Sequence, residues 1–246
     1  GWVVRINDAL ENDRFELYGQ RILSFAADSS EAFEILLRLR GDDDEPLLPS
    51  RFIPAAERFQ LAARIDRHVV ERSLQWLESD SRARRARLNI NLSASTIADE
   101  DFAHFLKARL RNTSVDPTQL CFEITETSAV RDLDHARQFI AQFKALGVRF
   151  ALDDFGAGFC SFAYLRELDV DVFKIDGSFV RDFDRNELSA AIIRAIVEIG
   201  RVLGKRVVAE CVEDVRIGRR LQELGVDGVQ GYAYHRPEPL RLLYAQ

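Results

Sequence analysis

The stretch VRFALDDFGAGFCSFAYLRELDVDVFKID, from Val148 to Asp176, decides the fold. It holds two short segments rich in β-formers, Val148–Leu152 and Val170–Ile175, the first running into adjacent carboxylates and a turn with glycines at 156 and 158. After Gly147 such segments alternate with amphipathic helical patterns, the signature of βα units and a parallel sheet. Counted along the whole chain, the strand candidates are Phe15–Ser24, Phe33–Leu39, Arg87–Leu92, Leu120–Ile124, Val148–Leu152, Val170–Ile175, Arg206–Ala209 and Gly228–Tyr232. Helical faces fill the gaps: Leu61, Ile65 and Val69; Phe102, Phe105 and Leu110; Phe139, Phe143 and Leu146, closed by Gly147. The longest helix is expected over residues 186–203, with Leu188, Ile192, Ile196, Ile199 and Leu203 in step and Gly204 following. Eight strands with outer helices predict an α/β fold, a closed (β/α)8 barrel of TIM type. Only AADSSEA, Ala26–Ala32, separates the first two strands, whereas a parallel crossover needs a dozen residues or more. The first strand is therefore expected to run antiparallel.

Composition bounds the function. The 246 residues are 47% hydrophobic and 30% charged, ordinary globular values that one domain spanning 1–246 can accommodate. A net charge of −6 argues against a binder of DNA or RNA polymers and against membrane contact by this domain, while a small phosphate ligand is admitted if a metal supplies positive charge. Cys121, Cys160 and Cys211 show no paired spacing, so reduced thiols and the cytosol are expected rather than disulfides or a zinc site. No apolar run reaches the roughly 18 residues of a membrane span, and no signal peptide is seen. The chain lacks Met, so it is read as a domain excised from a longer protein.

Neighbouring carboxylates in a partly buried place repel unless water or a cation offsets them. Asp153 and Asp154 thus fit either a solvated turn or a site for hard divalent cations, and the segment alone leaves both open. Other strand ends carry Glu34 in FEILLRLR, Asn91 in LNINLS, Glu123 and Glu126 in CFEITET, Lys174 in DVFKID, Glu210 in VVAECVE and Gln230 in GVQGY. One polar residue at a strand end is usually a cap. Carboxylates from many strands converging on one barrel mouth require cations, and carboxylate and amide oxygens favour Mg²⁺ or Mn²⁺ over zinc. His68, His104, His135 and His235 fall in helices or the terminal loop, where surface or packing roles are expected. The basic runs RARRARL and RIGRR are read as solvated helix faces, and GDDDEP, Gly41–Pro46, as a solvated loop tip.

EILLR at Glu34–Arg38, RFIPAAE at Arg51–Glu57, NLS at Asn91–Ser93, EITE at Glu123–Glu126, DDFGAG at Asp153–Gly158, KID at Lys174–Asp176, ECVE at Glu210–Glu213 and VQGY at Val229–Tyr232 together resemble an EAL-domain phosphodiesterase across essentially the whole chain. The resemblance implies hydrolysis of cyclic di-GMP to linear pGpG by two Mg²⁺ or Mn²⁺ ions, with Ca²⁺ inhibitory, in the bacterial cytoplasm. It also implies a first strand running antiparallel and a homodimer whose face the loop Phe155–Ser161 shapes. By resemblance, Glu34, Asn91, Glu123 and Asp153 hold the first metal, and Asp153 and Asp154 the second, with Asp153 bridging. Glu210 resembles a second-metal ligand or general base, Lys174 the group orienting the attacking water, and Glu126 the residue steadying the loop. Arg38 resembles the phosphate contact, and Gln20 and Gln230 contacts to substrate or metal-bound water. Departures are Ile35 for the motif's Ala, Arg21 for a usual Pro, Cys160 and Phe162 in the loop, and Cys211 for a usual Gly, where a side chain is expected to crowd the second-metal site. Two rival readings are a receptor that binds cyclic di-GMP without cutting it and a two-carboxylate glycosidase. The latter explains neither Asn91 nor Lys174 nor the Asp pair.

Overall fold

The computed structural model describes residues 1–27, 30–41, 43, 45–79, 81–158 and 162–244. Ten strands are described: β1 Phe15–Ser24, β2 Ala32–Arg40, β3 Pro46–Leu47, β4 Arg87–Asn91, β5 Leu120–Thr125, β6 Arg149–Phe155, β7 Val172–Ile175, β8 Arg206–Ala209, β9 Gly228–Val229 and β10 Glu238–Pro239. Parallel pairing runs β2–β4–β5–β6–β7–β8–β9. β1 closes the ring, antiparallel to β2 from Phe15↔Leu39 to Ile22↔Ala32 and antiparallel to β9 at Leu23↔Val229. The expected barrel and its antiparallel first strand are both present. Short β3 and β10 pair outside the ring, on β2 and β1, and were not foreseen; two-residue strands carry too little pattern to read.

The helices are α1 Trp2–Glu11, α2 Ile53–Arg58, α3 Ala62–Ser79, α4 Ala94–Ile97, α5 Glu100–Arg111, α6 Glu126–Arg131, α7 Leu133–Lys144, α8 Gly177–Arg181, α9 Glu187–Leu203 and α10 Val215–Glu223. No described helix is long and apolar enough to cross a membrane. α1 was not foreseen, and α3 at 18 residues exceeds the 17 of α9. The face expected for α9 is also wrong by about one position. Its buried residues are Ser189, Ile193, Ile196 and Gly200, while Leu188 is 67% exposed. The reason is space: a Cβ at Gly200 would stand 2.6 Å from Val207 Cγ2, so the helix lays its smallest residue on β8 and turns Leu188 outward. Gly204 closes α9 at φ +67, a conformation glycine adopts without strain.

Alternation along each strand sorts the chemistry. Outward residues are apolar and meet the helices: Phe122 lies 5.9 Å from Phe150, and Phe139 of α7 meets Phe150 edge-on. Phe173 of β7 stacks on Phe155 at 4.6 Å. Each buried phenylalanine contributes about 1.5–3 kcal/mol, so this outer layer carries much of the stability. The opposite parity faces the barrel axis, and there every central strand spends polar residues: Arg87, Asn89 and Asn91 on β4; Cys121 and Glu123 on β5; Arg149 and Asp153 on β6; Lys174 on β7; Arg206 on β8.

The last expected strand, Gly228–Tyr232, stops at Val229; the chain then turns in, with Gln230 N–H donating to Ala209 O and Val212 N–H to Gln230 O. β6 instead outruns its expected end, passing through both aspartates to Phe155.

Candidate active site at the carboxyl end of the barrel

A regular strand sends adjacent side chains to opposite faces, so Asp153 and Asp154 should part company. They do not. The β6–β7 register shifts between Leu152 and Phe155, and Asp154 takes φ +51 with its N–H on Asp153 Oδ1 at 2.9 Å. This bulge spends a strained, left-handed residue to bring both carboxylates to one mouth. Carboxylate oxygens of Asp153, Asp154 and Glu210 all lie within 4.8 Å of one another, as do those of Glu34, Glu123 and Glu210. The solvated-turn reading fails for Asp153, which is buried in the strand, while Asp154 keeps an exposed face.

Lys174 stands among them, wholly buried, its Nζ 3.1 Å from Glu34 Oε2, 2.8 Å from Glu123 Oε1 and 2.8 Å from Glu210 Oε1. Five carboxylates against one ammonium leave four formal negative charges uncompensated. Burial, and then the charge of Glu34, push Glu123 up to about 8. Burial likewise raises Glu210 well above the carboxylate range, against the pull of Lys174 and with the help of Asp153, Glu34 and Glu123. Asp154 rises to about 6 through partial burial and the charge of Asp153. Glu34 goes the other way: burial opposes its charge, but Lys174 and hydrogen bonds from Asn91, Gln230 and Lys174 outweigh that. For Lys174 burial disfavours the charge, and Glu123, Glu210 and Glu34 overcome it.

The amides order this cluster. Asn91 Nδ2 donates to Glu34 Oε1 at 2.9 Å, and Gln230 Nε2 donates to Glu34 Oε2 at 2.5 Å and to Gln20 Oε1 at 3.0 Å. Asn89 Nδ2 donates to Glu123 Oε1 at 2.7 Å and was missed, although its spacing from Asn91 places both on one strand face. Glu126, the first residue of α6, accepts from the N–H of Gly156 at 3.0 Å, from that of Gly158 at 3.3 Å and from the Tyr164 hydroxyl, so it ties down both ends of the loop after β6. Phe159, Cys160 and Ser161 of that loop, like Asp42 and Asp44 of the acidic run, lie outside the described residues.

Arg38 is not within the carboxylate cluster. It sits two turns of the pleat further along β2, its guanidinium over the Tyr18 ring at 5.1 Å and one N–H on Leu37 O. A cleft of about 290 Å³ opens beside the cluster, lined by Gln20, Glu34, Arg181, Glu210, Cys211 and Tyr232 among others. Arg181 was missed, since nothing in its helical context marks it. Its Nη2 donates to Cys211 Sγ at 3.3 Å. Cys211 holds φ +58, and its thiol lies against Gly177, where a Cβ would stand 2.4 Å from Sγ. Its side chain therefore leans on Gly177 and Arg181, and a glycine at 177 is what makes room for it.

The histidines stay apart from this cluster. His104 and His135 are exposed, His68 packs 5.8 Å from the Phe15 ring, and His235 Nδ1 accepts from Arg21 N.

The candidate metal-ligating groups at the mouth are carboxylate and amide oxygens. The set fits Mg²⁺ or Mn²⁺ and not a thiolate- or imidazole-bound metal.

The EAL domain family model matches residues 3–237. Cyclic di-GMP phosphodiesterase PdeB of Shewanella oneidensis is 40% identical over 241 residues, 97% of this chain and 28% of its own length. Cyclic di-GMP phosphodiesterase PdeF of Escherichia coli is 36% identical over 237 residues, 96% of this chain and 32% of its own. The chain thus spans about three-tenths of the length of these curated relatives. Among solved structures, the FimX EAL domain of Pseudomonas aeruginosa bound to c-di-GMP superposes with a TM-score of 0.91 at 28% identity, over 97% of this chain and 96% of that one. The PaMucR phosphodiesterase in its c-di-GMP complex gives 0.89 at 31% identity, over 98% and 99%.

Proposed function

The chain belongs to the EAL domain family, and from that premise we propose that its acidic mouth hydrolyses cyclic di-GMP to linear pGpG with two bound Mg²⁺ or Mn²⁺ ions. The observation that carries this reading is the bulge that puts Asp153 and Asp154 on the same side as Glu210, beside the Glu34–Glu123–Glu210 group. Relatives named as cyclic di-GMP phosphodiesterases and structures titled as c-di-GMP complexes support the substrate.

Glu34, Asn91, Glu123 and Asp153 are the residues we assign to one ion, and Asp153, Asp154 and Glu210 to the other. Such a pair supplies Lewis-acid stabilisation of phosphate oxygens and a water that loses its proton near neutral pH. Lys174 fixes the orientation of three of these carboxylates through its short contacts and keeps positive charge at the centre of the site. It is also the group we assign to orienting the attacking water. Glu210, on the open cleft and beside Asp153 and Asp154, is also the residue we assign as general base. Arg38, half-buried at the rim, presents a planar fork of N–H donors suited to a phosphate. Gln20 and Gln230 steady Glu34 and reach the same cleft. Glu126 steadies the loop, and Phe162, 55% exposed beside it, supports a homodimer through this face. We assign the activity to the bacterial cytoplasm, as a single catalytic domain of a longer protein.

The test is to incubate the chain with cyclic di-GMP and follow pGpG by chromatography. We expect product with Mg²⁺ or Mn²⁺, none in excess chelator, and suppression by Ca²⁺, whose looser coordination holds the same oxygens poorly aligned. Intact cyclic di-GMP in every metal, with binding retained by calorimetry, would establish the receptor reading instead.

A further inference from the structure

The amino end of the barrel carries its own polar layer. Arg87, Arg149 and Arg206 are the first residues of β4, β6 and β8, and alternate strands contribute side chains to one layer of such a barrel. All three line a cavity of about 370 Å³ whose inner wall is formed by Cys121, Val172 and the stem of Lys174. Its volume falls in the range of roughly 300–1,000 Å³ found for small-molecule sites. RARRARL was expected to be a solvated helix face; instead Arg87 ends that run inside the barrel mouth.

Three guanidiniums facing one space are a cost unless something answers them. Burial, and then the charges of Arg149 and Arg206, depress the basicity of Arg87. Its Nε is buried without a hydrogen-bond partner, and Arg206 Nη2 donates to a neutral oxygen, Ser24 Oγ, at 2.9 Å. The described acids nearby answer this charge only in part. Asp171 lines the cavity but accepts from Lys144 Nζ and Phe150 N–H, Asp116 attracts Arg149 while capping the turn at Thr118, and Glu31 pairs with Arg21. Conserving stability does not explain such a layer, since apolar side chains would fill it without repulsion.

We propose that this cavity is a second ligand site, distinct from the acidic mouth, which binds an oxyanion of the phosphate class. The three forks and the hydroxyl of Ser30 on its wall offer convergent donors, the arrangement that holds phosphate or a phosphomonoester, while the Thr118 hydroxyl donates to Asp116 Oδ1. The two ends of one barrel axis would then bind opposite charge, cations at the carboxyl end and an anion at the amino end.

The experiment uses the chain in chelator, so that no metal ion at the acidic mouth can bind phosphate. Thermal unfolding is followed in sodium phosphate, in 5′-GMP and in sodium chloride at equal pH and ionic strength, with calorimetry to count bound phosphate. We expect phosphate to raise Tm by at least about 2 °C over chloride, with one phosphate per chain. A larger response to 5′-GMP that is lost in Arg149→Gln identifies an organic phosphate at this cavity, and one equal to that of phosphate the free oxyanion. Arg149→Gln, at an exposed strand start that tolerates substitution, should lose the phosphate increment while melting no lower than the parent in chloride, because repulsion is relieved. Arg87→Gln should behave alike. Equal Tm in phosphate and chloride, or an increment that survives in Arg149→Gln, would overturn the proposal.

Discussion

Lys174 and Asp153 share one cluster, yet the charge argument gives them different work. Lys174→Ala should lower turnover by several powers of ten, about 1.4 kcal/mol of barrier for each tenfold, while cyclic di-GMP still binds in Ca²⁺. Normal turnover would remove Lys174 from the mechanism. Cys211 makes a second case, because its φ of +58 and its contact with Gly177 are linked. Gly177→Ala should be strongly destabilising in the parent and largely tolerated beside Cys211→Gly, which removes the sulfur that a new methyl would strike. A double-mutant cycle with additive losses would show that the two positions are independent. Asp66 supplies a pH dependence. Burial raises it from 3.8 to about 6, although Ser93 N–H and the Thr96 hydroxyl both donate to it. A raised folded pKa means the protonated form stabilises the fold fully below about 4, and that this contribution is lost as pH rises through about 6. The shift spans about two pH units at about 1.4 kcal/mol each. Asp66→Asn, which mimics the protonated form, should therefore gain up to about 3 kcal/mol on the parent between pH 4 and pH 7. Denaturant unfolding at both pH values measures this, and an unchanged difference would count against it.

Individual elements were legible where pattern and packing agree. β1, β8 and, on α7, Phe139 and Phe143 could be read because apolar periodicity there is the packing; Leu146, expected on the same face, lies past the helix end at Lys144 and is exposed. The α9 face could not, since a glycine packed on Val207 outranks the leucines on either side, and close approach leaves no mark in periodicity. The bulge in β6 was hidden for a related reason: two aspartates look like a turn, and only the β6–β7 register shows that they end a strand. The loop after that strand hangs on Glu126, through the N–H groups of Gly156 and Gly158 and the Tyr164 hydroxyl. Glu126→Gln, which keeps the size but weakens acceptance, should speed protease cleavage after residue 158 and lower affinity for the second metal, with α6 itself intact. Cleavage at the parental rate would show that the loop holds by other contacts.

Over the whole molecule, the closed ring assembles residues far apart in sequence, from Gln20 to Gln230, around one axis. The convergence of Glu34, Asn91, Glu123, Asp153, Asp154, Lys174, Glu210 and Gln230 was readable from their places at strand ends. Arg181 and the arginine layer at the other end were not, because arginine in a helical or basic run gives no sign of which surface it meets. The central claim is that a mouth of five carboxylates around one lysine holds two divalent cations. Its most direct test is a calorimetric titration of the metal-free chain with Mn²⁺ beside Asp153→Asn, the residue assigned to both ions. Two Mn²⁺ per parental chain, with at least one lost or bound more than tenfold more weakly in the variant, is the predicted result. A single ion in the parent, or parental affinity and stoichiometry in Asp153→Asn, would contradict it.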